Sequence, residues 1–234
     1  MSTKQITPGL FEVALGVVNV FLLESDDGLA LIDTGYPNSA DRILAAVAEM
    51  GKQPADIRHI IITHAHPDHI GSLAPLKRAT NARTYIHPLD APIARSGTGF
   101  RPMTPAPGLL TGLLFRLFVR AAPILEETTI DHEIADGEVL PIAGGLNVIH
   151  TPGHSAGHLA FLWPRGRALL VGDACANVPS LGWSLGYEDI QVGQQSLERL
   201  AELDFESASF GHGRTIQPGA AERFRKRWRA PLPA

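Results

Sequence analysis

Cysteine is almost absent from this sequence of 234 residues, which has one, so no disulfide can form within the chain. An excess of positive charge is also missing: 20 basic residues stand against 24 acidic ones, and the formal net charge is −4. This balance argues against a protein that binds nucleic acid through bulk positive charge. The chain does have ten histidines. Any bound metal is therefore expected to be held by imidazole and carboxylate groups, not by thiolates.

A membrane span and an export signal are missing from the pattern as well. The uncharged run 102–115 is 14 residues long and holds three prolines, so it is too short and too broken to cross a bilayer. The apolar stretch 13–23 has neither a basic leader nor a small-residue cleavage site, and is better explained as a buried strand. We therefore predict a cytoplasmic protein without a membrane span.

What the sequence does have is material for a full core, since 44% of its residues are hydrophobic and 19% are charged. Apolar runs typical of strands alternate with segments of helical spacing, without a linker. This pattern predicts one α/β domain over residues 1–234, built as two similar halves. The predicted strands are 10–13, 17–23, 29–32, 59–62, 83–87, 140–150, 159–171 and 208–210. The predicted helices are 38–50, 71–79, 192–203 and about 218–228.

Residues 96–127 depart from this alternation, because they place four prolines around an apolar run at 109–119. Three interpretations are open for this insertion. It is a core helix with a proline-rich entry, or an apolar lid or pocket wall beside a functional site. The third is a face that contacts a membrane or a second copy of the chain. The sequence does not separate these interpretations.

The densest group of chemically active side chains is His64-Ala65-His66-Pro67-Asp68-His69, directly after the predicted strand 59–62. Three imidazoles and one carboxylate fall within six residues, on a tight loop or a helix start. Such crowding has no evident packing purpose. Neutral imidazole and carboxylate are ligands that suit zinc, iron or manganese. The motif therefore predicts a metal site.

Three further polar side chains, His154, Asp173 and His212, follow predicted strands at the point where each strand ends. Strand ends from distant parts of a sheet can converge at one edge. A single histidine after a strand is more often a hydrogen-bonded structural residue. Together with the motif at 64–69, however, these residues supply five histidines and two aspartates, which are enough ligands for two metal ions.

The order of these motifs resembles the metallo-β-lactamase fold superfamily, and in particular its glyoxalase II-like and lactonase-like dinuclear hydrolases. The resemblance covers about residues 9–214. The matching segments are His-x-His-x-Asp-His at 64–69, Leu31-Ile32-Asp33-Thr34-Gly35, Thr151-Pro152-Gly153-His154, Gly172-Asp173 and Gly211-His212-Gly213. The family fold implied by the resemblance is a four-layer αββα sandwich with the active site at one edge, between the two sheets.

The resemblance also implies a ligand set for two divalent ions. Zinc is the first choice of metal, and iron and manganese are the alternatives. The resemblance assigns His64, His66 and His154 to a first metal and Asp68, His69 and His212 to a second, with Asp173 bridging both. The chemistry it implies is attack on the substrate by a metal-bridging hydroxide, which metal coordination makes available at neutral pH. By analogy, Asp68 is also expected to shuttle a proton to the leaving group.

Other polar residues are predicted to support these ligands or the fold. Metal-bound imidazoles usually donate their second N–H to a carboxylate or a carbonyl, and Asp33 and His158 lie in loops that should face the site. For Asp33 a local turn is the alternative. Cys175 is predicted to be a small buried hydrophobe. Four histidines are predicted to be structural: His59, His87, His132 and His150.

Differences between this chain and known classes of the family narrow the range of activities that we expect. The β-lactamases with this histidine pattern usually lack a bridging aspartate, so Asp173 argues against an antibiotic hydrolase. Quorum-quenching lactonases carry a tyrosine shortly after that aspartate, whereas this chain has 174–176 as Ala-Cys-Ala. The basic helical region with which glyoxalase II binds glutathione has no clear counterpart in the roughly 20 residues after Gly213.

The leading hypothesis is a dinuclear metal-dependent hydrolase of a small ester, thioester or lactone, with an apolar part of the substrate held by 96–127. A phosphodiesterase, a phosphotriesterase or a promiscuous β-lactamase-like hydrolase is the alternative within the same chemistry. A mononuclear iron oxygenase or redox enzyme is the alternative of another class, and a non-catalytic metal-stabilised module is the last. The expected partner is a small-molecule substrate and no nucleic acid, and a homo-oligomer stays open.

Overall fold

Two main sheets organise the computed structural model, which describes residues 3–119 and 123–229. The first sheet has seven strands, paired in this order: β1 (Lys4–Thr7), β2 (Leu10–Ala14), β3 (Asn19–Ser25), β4 (Gly28–Ile32), β5 (Ile57–Ile61), β6 (Arg83–Ile86) and β8 (His132–Glu133). The second sheet pairs β9 (Val139–Leu140), β10 (Leu146–His150), β11 (Leu159–Trp163), β12 (Ala168–Gly172) and β16 (Ser207–Phe210) in that order. Two short ribbons pair β7 (Thr104–Pro105) with β15 (Gly186–Tyr187), and β13 (Ala176–Asn177) with β14 (Leu181–Gly182).

Seven α-helices accompany these strands among the described residues. They are α1 (Ala40–Glu49), α2 (Pro67–Ile70), α3 (Leu73–Thr80), α4 (Ala91–Ser96), α5 (Leu109–Phe118), α6 (Ile190–Leu200) and α7 (Ala220–Trp228), with a 3-10 turn at Pro54–Asp56. Their bounds fall within a few residues of the predicted helices, except that α2, α4 and α5 were not placed individually. None of these helices is long and apolar enough to cross a bilayer.

The alternation of side chains along each strand creates the layers. In β3, Val20 and Leu22 join the core shared with α1 and α3, whereas Phe21 joins the core between the two sheets. In β12, Leu170 faces that central core and Leu169 packs with α6 and α7. The layers therefore run helix, sheet, sheet, helix, and the predicted αββα sandwich is confirmed.

Parallel strands bring the ends of several strands to one edge. Strand β4 runs parallel to β5, and β12 runs parallel to β16. The loops after these four strands hold Asp33, His64, Asp173 and His212. Because the carboxyl ends of parallel strands lie at the same edge, these side chains can meet there although they come from distant parts of the chain.

Two predicted strands were wrong in extent. The segment 140–150 is the pair β9 and β10, and 159–171 is the hairpin β11–β12, with a turn at 164–167. The first turn, 141–145, is Pro-Ile-Ala-Gly-Gly and continues the apolar pattern, whereas the second is Pro-Arg-Gly-Arg, a turn signal that the strand prediction passed over. Gly166 is needed in the second turn, since a Cβ there would lie 2.0 Å from the Trp163 ring. The edge strand β1 was also missed.

The insertion 96–127 forms β7 and α5, and residues 120–122 lie outside the described part of the chain. No residue of α5 is buried, and Leu109 and Phe118 are 98% and 70% exposed. A core helix would bury one face, so that interpretation does not fit. Strand β7 pairs with β15, and Phe115 lies against the backbone of Gly186, which attaches the insertion to the second half of the fold.

Candidate metal centre

The motif 64–69 turns sharply because helix α2 begins inside it. Pro67 occupies the first helical turn, where its fixed φ and missing N–H suit the start of a helix. The backbone N–H groups of His69 and Ile70 both donate to the His66 carbonyl and close the turn. The turn thus brings His64 and His66 from the loop and Asp68 and His69 from the helix to the same edge.

The first group of side chains consists of three imidazoles, with ligand atoms of His64, His66 and His154 within 4.8 Å of one another. His66 Nδ1 and His154 Nε2 are 3.0 Å apart. His154 Nδ1 donates to the Gly186 carbonyl at 2.8 Å, so its Nε2 carries the lone pair that faces the group. The rings come from both sheets, since His154 follows β10.

The second group mixes a carboxylate with two imidazoles, Asp68, His69 and His212. His212 Nε2 lies 3.2 Å from Asp68 Oδ2. His212 Nδ1 donates to the Val17 carbonyl at 2.7 Å, and His69 Nδ1 donates to Asp33 Oδ2 at 2.8 Å. Because each Nδ1 is engaged with an acceptor, each Nε2 is the nitrogen directed into the group.

Asp173 lies between the two groups. Its Oδ2 is 3.6 Å from His154 Nε2 and 3.2 Å from His212 Nε2, and its Oδ1 is 3.6 Å from His69 Nε2. Gly211 makes this position possible, since a Cβ there would lie 2.1 Å from Asp173 Oδ1. The glycine before His212 is therefore required by the approach of the aspartate.

Several buried polar atoms in this cluster have no hydrogen-bond partner within the described part of the chain. They are His64 Nε2, His66 Nε2, His69 Nε2 and Asp173 Oδ1. Leaving a buried polar atom unpaired costs about 1–3 kcal/mol, so the cluster is unfavourable as protein alone. Imidazole nitrogens and carboxylate oxygens are also the donor types that suit zinc, iron or manganese. On both counts the residues fit bound divalent metal ions.

The first group is held in its neutral form. Burial is the main cause that lowers the pKa of His66 to about 3, and the neighbouring His154 lowers it further. Burial likewise lowers the pKa of His64 and of His154. An imidazole must be neutral to bind a metal, so these rings need lose no proton on binding at neutral pH.

The second group is held in its charged form. Burial works to lower the pKa of His69, but Asp173, Asp33 and Asp68 outweigh it and raise the pKa to about 10. The pKa of His212 is raised well above its usual value against the same effect of burial, by Asp173 and Asp68. Burial works to raise the pKa of both Asp68 and Asp173, but the facing imidazoles hold each pKa below its usual value.

Asp33 contacts one of the proposed metal ligands directly and a second one through Thr63. Besides the hydrogen bond from His69, it accepts the backbone N–H and the hydroxyl of Thr63, both at 2.8 Å. Since that hydroxyl donates to Asp33, it accepts from His64 Nδ1 at 2.9 Å, which leaves His64 Nε2 directed into the first group. Asp33 has φ of 64°, an uncommon backbone conformation for an aspartate.

His158 lies beside the cluster but contacts its backbone. Its Nε2 accepts the Asp173 N–H at 2.9 Å, and its Nδ1 pairs with the Thr151 hydroxyl at 2.7 Å. Its ring is 5.1 Å from that of His64. It therefore fixes the backbone of the loop that carries Asp173. Within the described part of the chain, it makes no hydrogen bond to the side chain of a proposed metal ligand.

The remaining histidines make structural contacts. His59 bonds Tyr85 and Asp27, His132 stacks on Tyr85, and His87 stacks on His150 with ring centroids 4.2 Å apart. Cys175 is fully buried beside the second-sheet core, and burial raises the pKa of its thiol.

Sequence reasoning missed two groups near the centre. Tyr36 is 39% exposed. Burial and the negative charges of Asp68 and Asp173 raise the pKa of its hydroxyl, and the positive charge of His212 opposes them. Asp90 is completely buried and contacts both loops that carry the first group. Asp90 follows the end of β6 by four residues, which is the same signal that singled out the other site residues.

Known proteins resemble this chain along most of its length. It is 29% identical over 229 residues to the probable metallo-hydrolase YflN of Bacillus subtilis (88% of this chain, 84% of that one). It is 30% identical over 159 residues to a hydroxyacylglutathione hydrolase of Rhodopseudomonas palustris (68% of this chain, 48% of that one). Among solved structures, the Cronobacter sakazakii metallo-beta-lactamase with a HARLDQ motif is 25% identical, with a TM-score of 0.72 over 91% of this chain and 81% of that one.

The family follows from a match that spans most of the sequence. The metallo-beta-lactamase superfamily pattern fits residues 13–212, a stretch that includes both groups of side chains and Asp173. The fold, the clustered histidines and aspartates, and the metallo-hydrolases among the relatives agree with that match. The chain belongs to the metallo-β-lactamase superfamily and is a metal-dependent hydrolase.

Proposed function

We propose that this hydrolase is dinuclear and acts on a small ester, thioester or lactone with an apolar acyl part. The observation that carries the proposal is the position of Asp173 between a group of three imidazoles and a second group of Asp68, His69 and His212. One oxygen of this carboxylate, Oδ2, lies near a ring of each group, so Asp173 is suited to be shared by two ions. Zinc is the metal that we propose, because imidazole nitrogen and carboxylate oxygen are both common zinc ligands and catalytic zinc sites are often built from them.

The chain's own residues have distinct roles in this proposal. Bound divalent ions would supply a water that ionises near neutral pH and an electrophile for the substrate oxygen. Gly186, Val17 and Asp33 orient rings of the two groups through hydrogen bonds to their Nδ1 atoms. These bonds fix the tautomer and the direction of each Nε2 before substrate arrives.

Asp68 is the carboxylate placed to move a proton. Its side chain is 22% exposed, against 5% for Asp173, so substrate can reach it. The imidazoles of His69 and His212 hold its pKa below the usual value although burial opposes them, so it is ionised at neutral pH. It can therefore accept a proton and pass it to the leaving group, as a general base and then a general acid.

Exposed apolar side chains next to the centre support an apolar substrate. Val17 is 69% exposed, and its own carbonyl accepts the hydrogen bond from His212. On the other side, Phe115 of α5 lies against Gly186, whose carbonyl orients His154. An apolar rim at both ends of the centre would bind an acyl chain while the polar groups hold the reacting carbonyl.

A hydrolysis panel tests the proposed activity. Purified protein loaded with zinc is assayed against lactones, thioesters, simple esters, phosphodiesters and β-lactams, with the metal content measured on the same sample. We expect two zinc ions per chain and the highest kcat/KM on a carbonyl substrate. One metal ion per chain without hydrolysis, or a preference for phosphodiesters, would reject the proposal. The Asp68→Asn variant should keep the ion of the first group, bind the ion of the second group more weakly because Asp68 belongs to it, and lose about 100-fold or more in kcat even when saturated with zinc.

The insertion is proposed to be the wall that holds the acyl part. Leu114 and Phe118 lie on the same side of α5 as Phe115, and both are replaced by serine in a single variant. The preference for longer acyl chains should fall, since each buried methylene is worth about 0.8 kcal/mol, or about fourfold. The matched control is Val139→Ser, which removes an exposed apolar residue outside the insertion. Unchanged kinetics at every chain length would reject the wall, and a changed oligomeric state would favour a dimer face instead.

A further inference from the structure

We propose that Asp90 is a positioning residue that sets the spacing of the three imidazoles of the first group, and that Arg101 extends this link into the insertion. This inference rests on the proposed metal site. None of the sequence motifs includes either residue. The argument begins with the fact that Asp90 lies between two loops from different sheets and is completely buried.

One oxygen of Asp90 contacts both ligand loops. Its Oδ2 accepts the backbone N–H of Ala65 at 2.9 Å and the hydroxyl of Ser155 at 2.9 Å. Ala65 stands between His64 and His66, and Ser155 follows His154 directly. A single carboxylate oxygen is therefore bonded next to all three imidazoles of the first group.

The other oxygen completes the set of donors. Asp90 Oδ1 accepts the Gly157 N–H at 3.1 Å and a bond from Arg101 Nη2. A Cβ on Gly157 would lie 2.5 Å from this oxygen, so a glycine is required at that place. With two donors on each oxygen, the carboxylate holds the loops after β5 and β10 at a fixed separation.

Arg101 extends the contact to the insertion. Its Nε lies 2.8 and 2.9 Å from the two oxygens of Glu188, and its Nη1 donates to the Leu89 carbonyl at 3.0 Å. Glu188 in turn accepts the Ala156 N–H at 2.9 Å, and its own N–H donates to the His154 carbonyl at 3.3 Å. The loop of His154 is thus attached twice, through Asp90 and through Glu188.

These contacts matter for metal binding because ligand distances must be met within about 0.2 Å. The imidazoles of the first group come from the loops after β5 and β10, and neither sheet fixes the distance between those loops by its own ladder. Replacing Asp90 by asparagine keeps the shape but turns one oxygen into an NH₂ group, which faces N–H donors instead of accepting from them. The loops should then separate slightly, although the fold persists.

The test uses the full chain with Asp90→Asn and a matched control, Asp131→Asn. Asp131 also accepts a backbone N–H, a hydroxyl and a cation, from Thr84 and Lys77, and belongs to neither metal-binding group. Zinc affinity is measured by competition with a chromophoric chelator, and cobalt(II) absorption reports the geometry of each site. We expect Asp90→Asn to weaken one of two ions about 10- to 100-fold and to alter its cobalt spectrum. The second ion and the control should stay within about threefold of the unmodified protein, a margin set well below that change.

The outcomes separate this inference from the proposed function. If the unmodified chain binds two ions and Asp90→Asn binds both as tightly, the positioning role is rejected and the dinuclear site stands. If the unmodified chain binds none, the proposed function fails first. An equal loss in both variants would indicate a general effect on folding and also reject the positioning role.

Arg101 variants keep the inference testable if Asp90→Asn does not fold. Arg101→Gln leaves the Asp90 carboxylate with its bonds to Ala65, Ser155 and Gly157. It should weaken the same ion less than Asp90→Asn does, and Arg101→Lys should restore part of that loss because it keeps the charge. Metal binding by Arg101→Gln equal to that of the unmodified chain would reject the link to the insertion.

Discussion

The two groups of the metal centre share one edge of the fold but differ in charge. In the first, burial keeps His64, His66 and His154 neutral, and two Nε2 atoms are left without partners. In the second, carboxylates hold His69 and His212 protonated; His212 Nε2 lies 3.2 Å from both Asp68 and Asp173, and among the described residues His69 Nε2 is the one ring nitrogen of this group without a hydrogen-bond partner. The first group thus gains more from a cation, whereas the second must first release protons.

This difference gives the two sites separate sensitivities. At pH 7, His66, with a pKa of about 3, has no proton to lose, while His69, with a pKa of about 10, has one. Each proton displaced on binding makes the metal affinity fall about tenfold per pH unit on acidification. The first group should therefore fill at lower metal concentration and keep its ion to lower pH than the second.

Replacing Asp173, the residue that both groups share, should have the largest effect. We expect Asp173→Asn to lose both ions and to lower kcat/KM by more than about 100-fold, since even the loss of an outer partner of a ligand costs 10- to 100-fold. Metal content and hydrolysis are measured on the same preparation. The matched control is Asp33→Asn, because Asp33 bonds His69 alone among the proposed ligands. Asp33→Asn should keep the first ion and weaken mainly the second, because Asp33 bonds His69 directly and reaches His64 only through Thr63. Retention of both ions and full activity by Asp173→Asn would exclude a shared ligand.

The order in which the two zinc ions are lost on acidification should distinguish the two groups without any mutation. Protein loaded with two zinc ions is dialysed between pH 8 and pH 5.5, and its zinc content is measured at each step. We expect occupancy to fall from two to one, because protons compete at His69 and His212, whose pKa values are raised, before they compete at His66.

Two variants identify the ion that leaves. His212→Ala should hold one ion with little pH dependence over this range, and His66→Ala should hold one ion that is lost early. Simultaneous release of both ions from the unmodified chain, or the opposite order in the two variants, would contradict the proposed difference between the groups.

Much of the clustering of these side chains could be predicted from sequence because the residues follow strands. Asp173 and His212 follow β12 and β16, which run parallel, so the carboxyl ends of these strands lie at the same edge of the sheet. The charge difference could not be predicted, since it depends on carboxylates that only folding brings together. Asp33 is 36 residues from His69 in sequence, yet their side chains are 2.8 Å apart.

Elements whose pattern carries through a turn were predicted less well. The turn within 140–150 is Pro-Ile-Ala-Gly-Gly, so hydrophobicity showed one continuous run there, whereas in 159–171 the apolar runs on both sides outweighed the turn signal Pro-Arg-Gly-Arg. Asp90 was missed because its four partners come from three other segments. The apolar run in α5 predicted a helix. Its spacing does not say which other part of the molecule, or which ligand, contacts the exposed apolar side chains of that helix.

The smallest predicted effect is on the stability of the folded chain. It tests whether a loss of stability and a loss of metal over the same pH range have separate causes. Burial, and then the stacked His150, lowers the pKa of His87 below its usual value of 6.5. Folding therefore favours neutral His87, and this contribution is complete above about pH 6.5 and is lost as the pH falls through the lowered pKa.

His87→Asn can still accept the Leu89 N–H but cannot become charged at this pH. On metal-free protein, we expect its Tm to fall less between pH 7 and pH 5 than that of the unmodified chain, by about 2 °C, the shift that less than 1 kcal/mol gives a domain of this size. Zinc occupancy should follow the same pH curve in both proteins, because His87 belongs to neither group. A shifted occupancy curve in His87→Asn would mean that acid removes the second ion by loosening the fold, and the charge of His69 and His212 would no longer explain the order of loss.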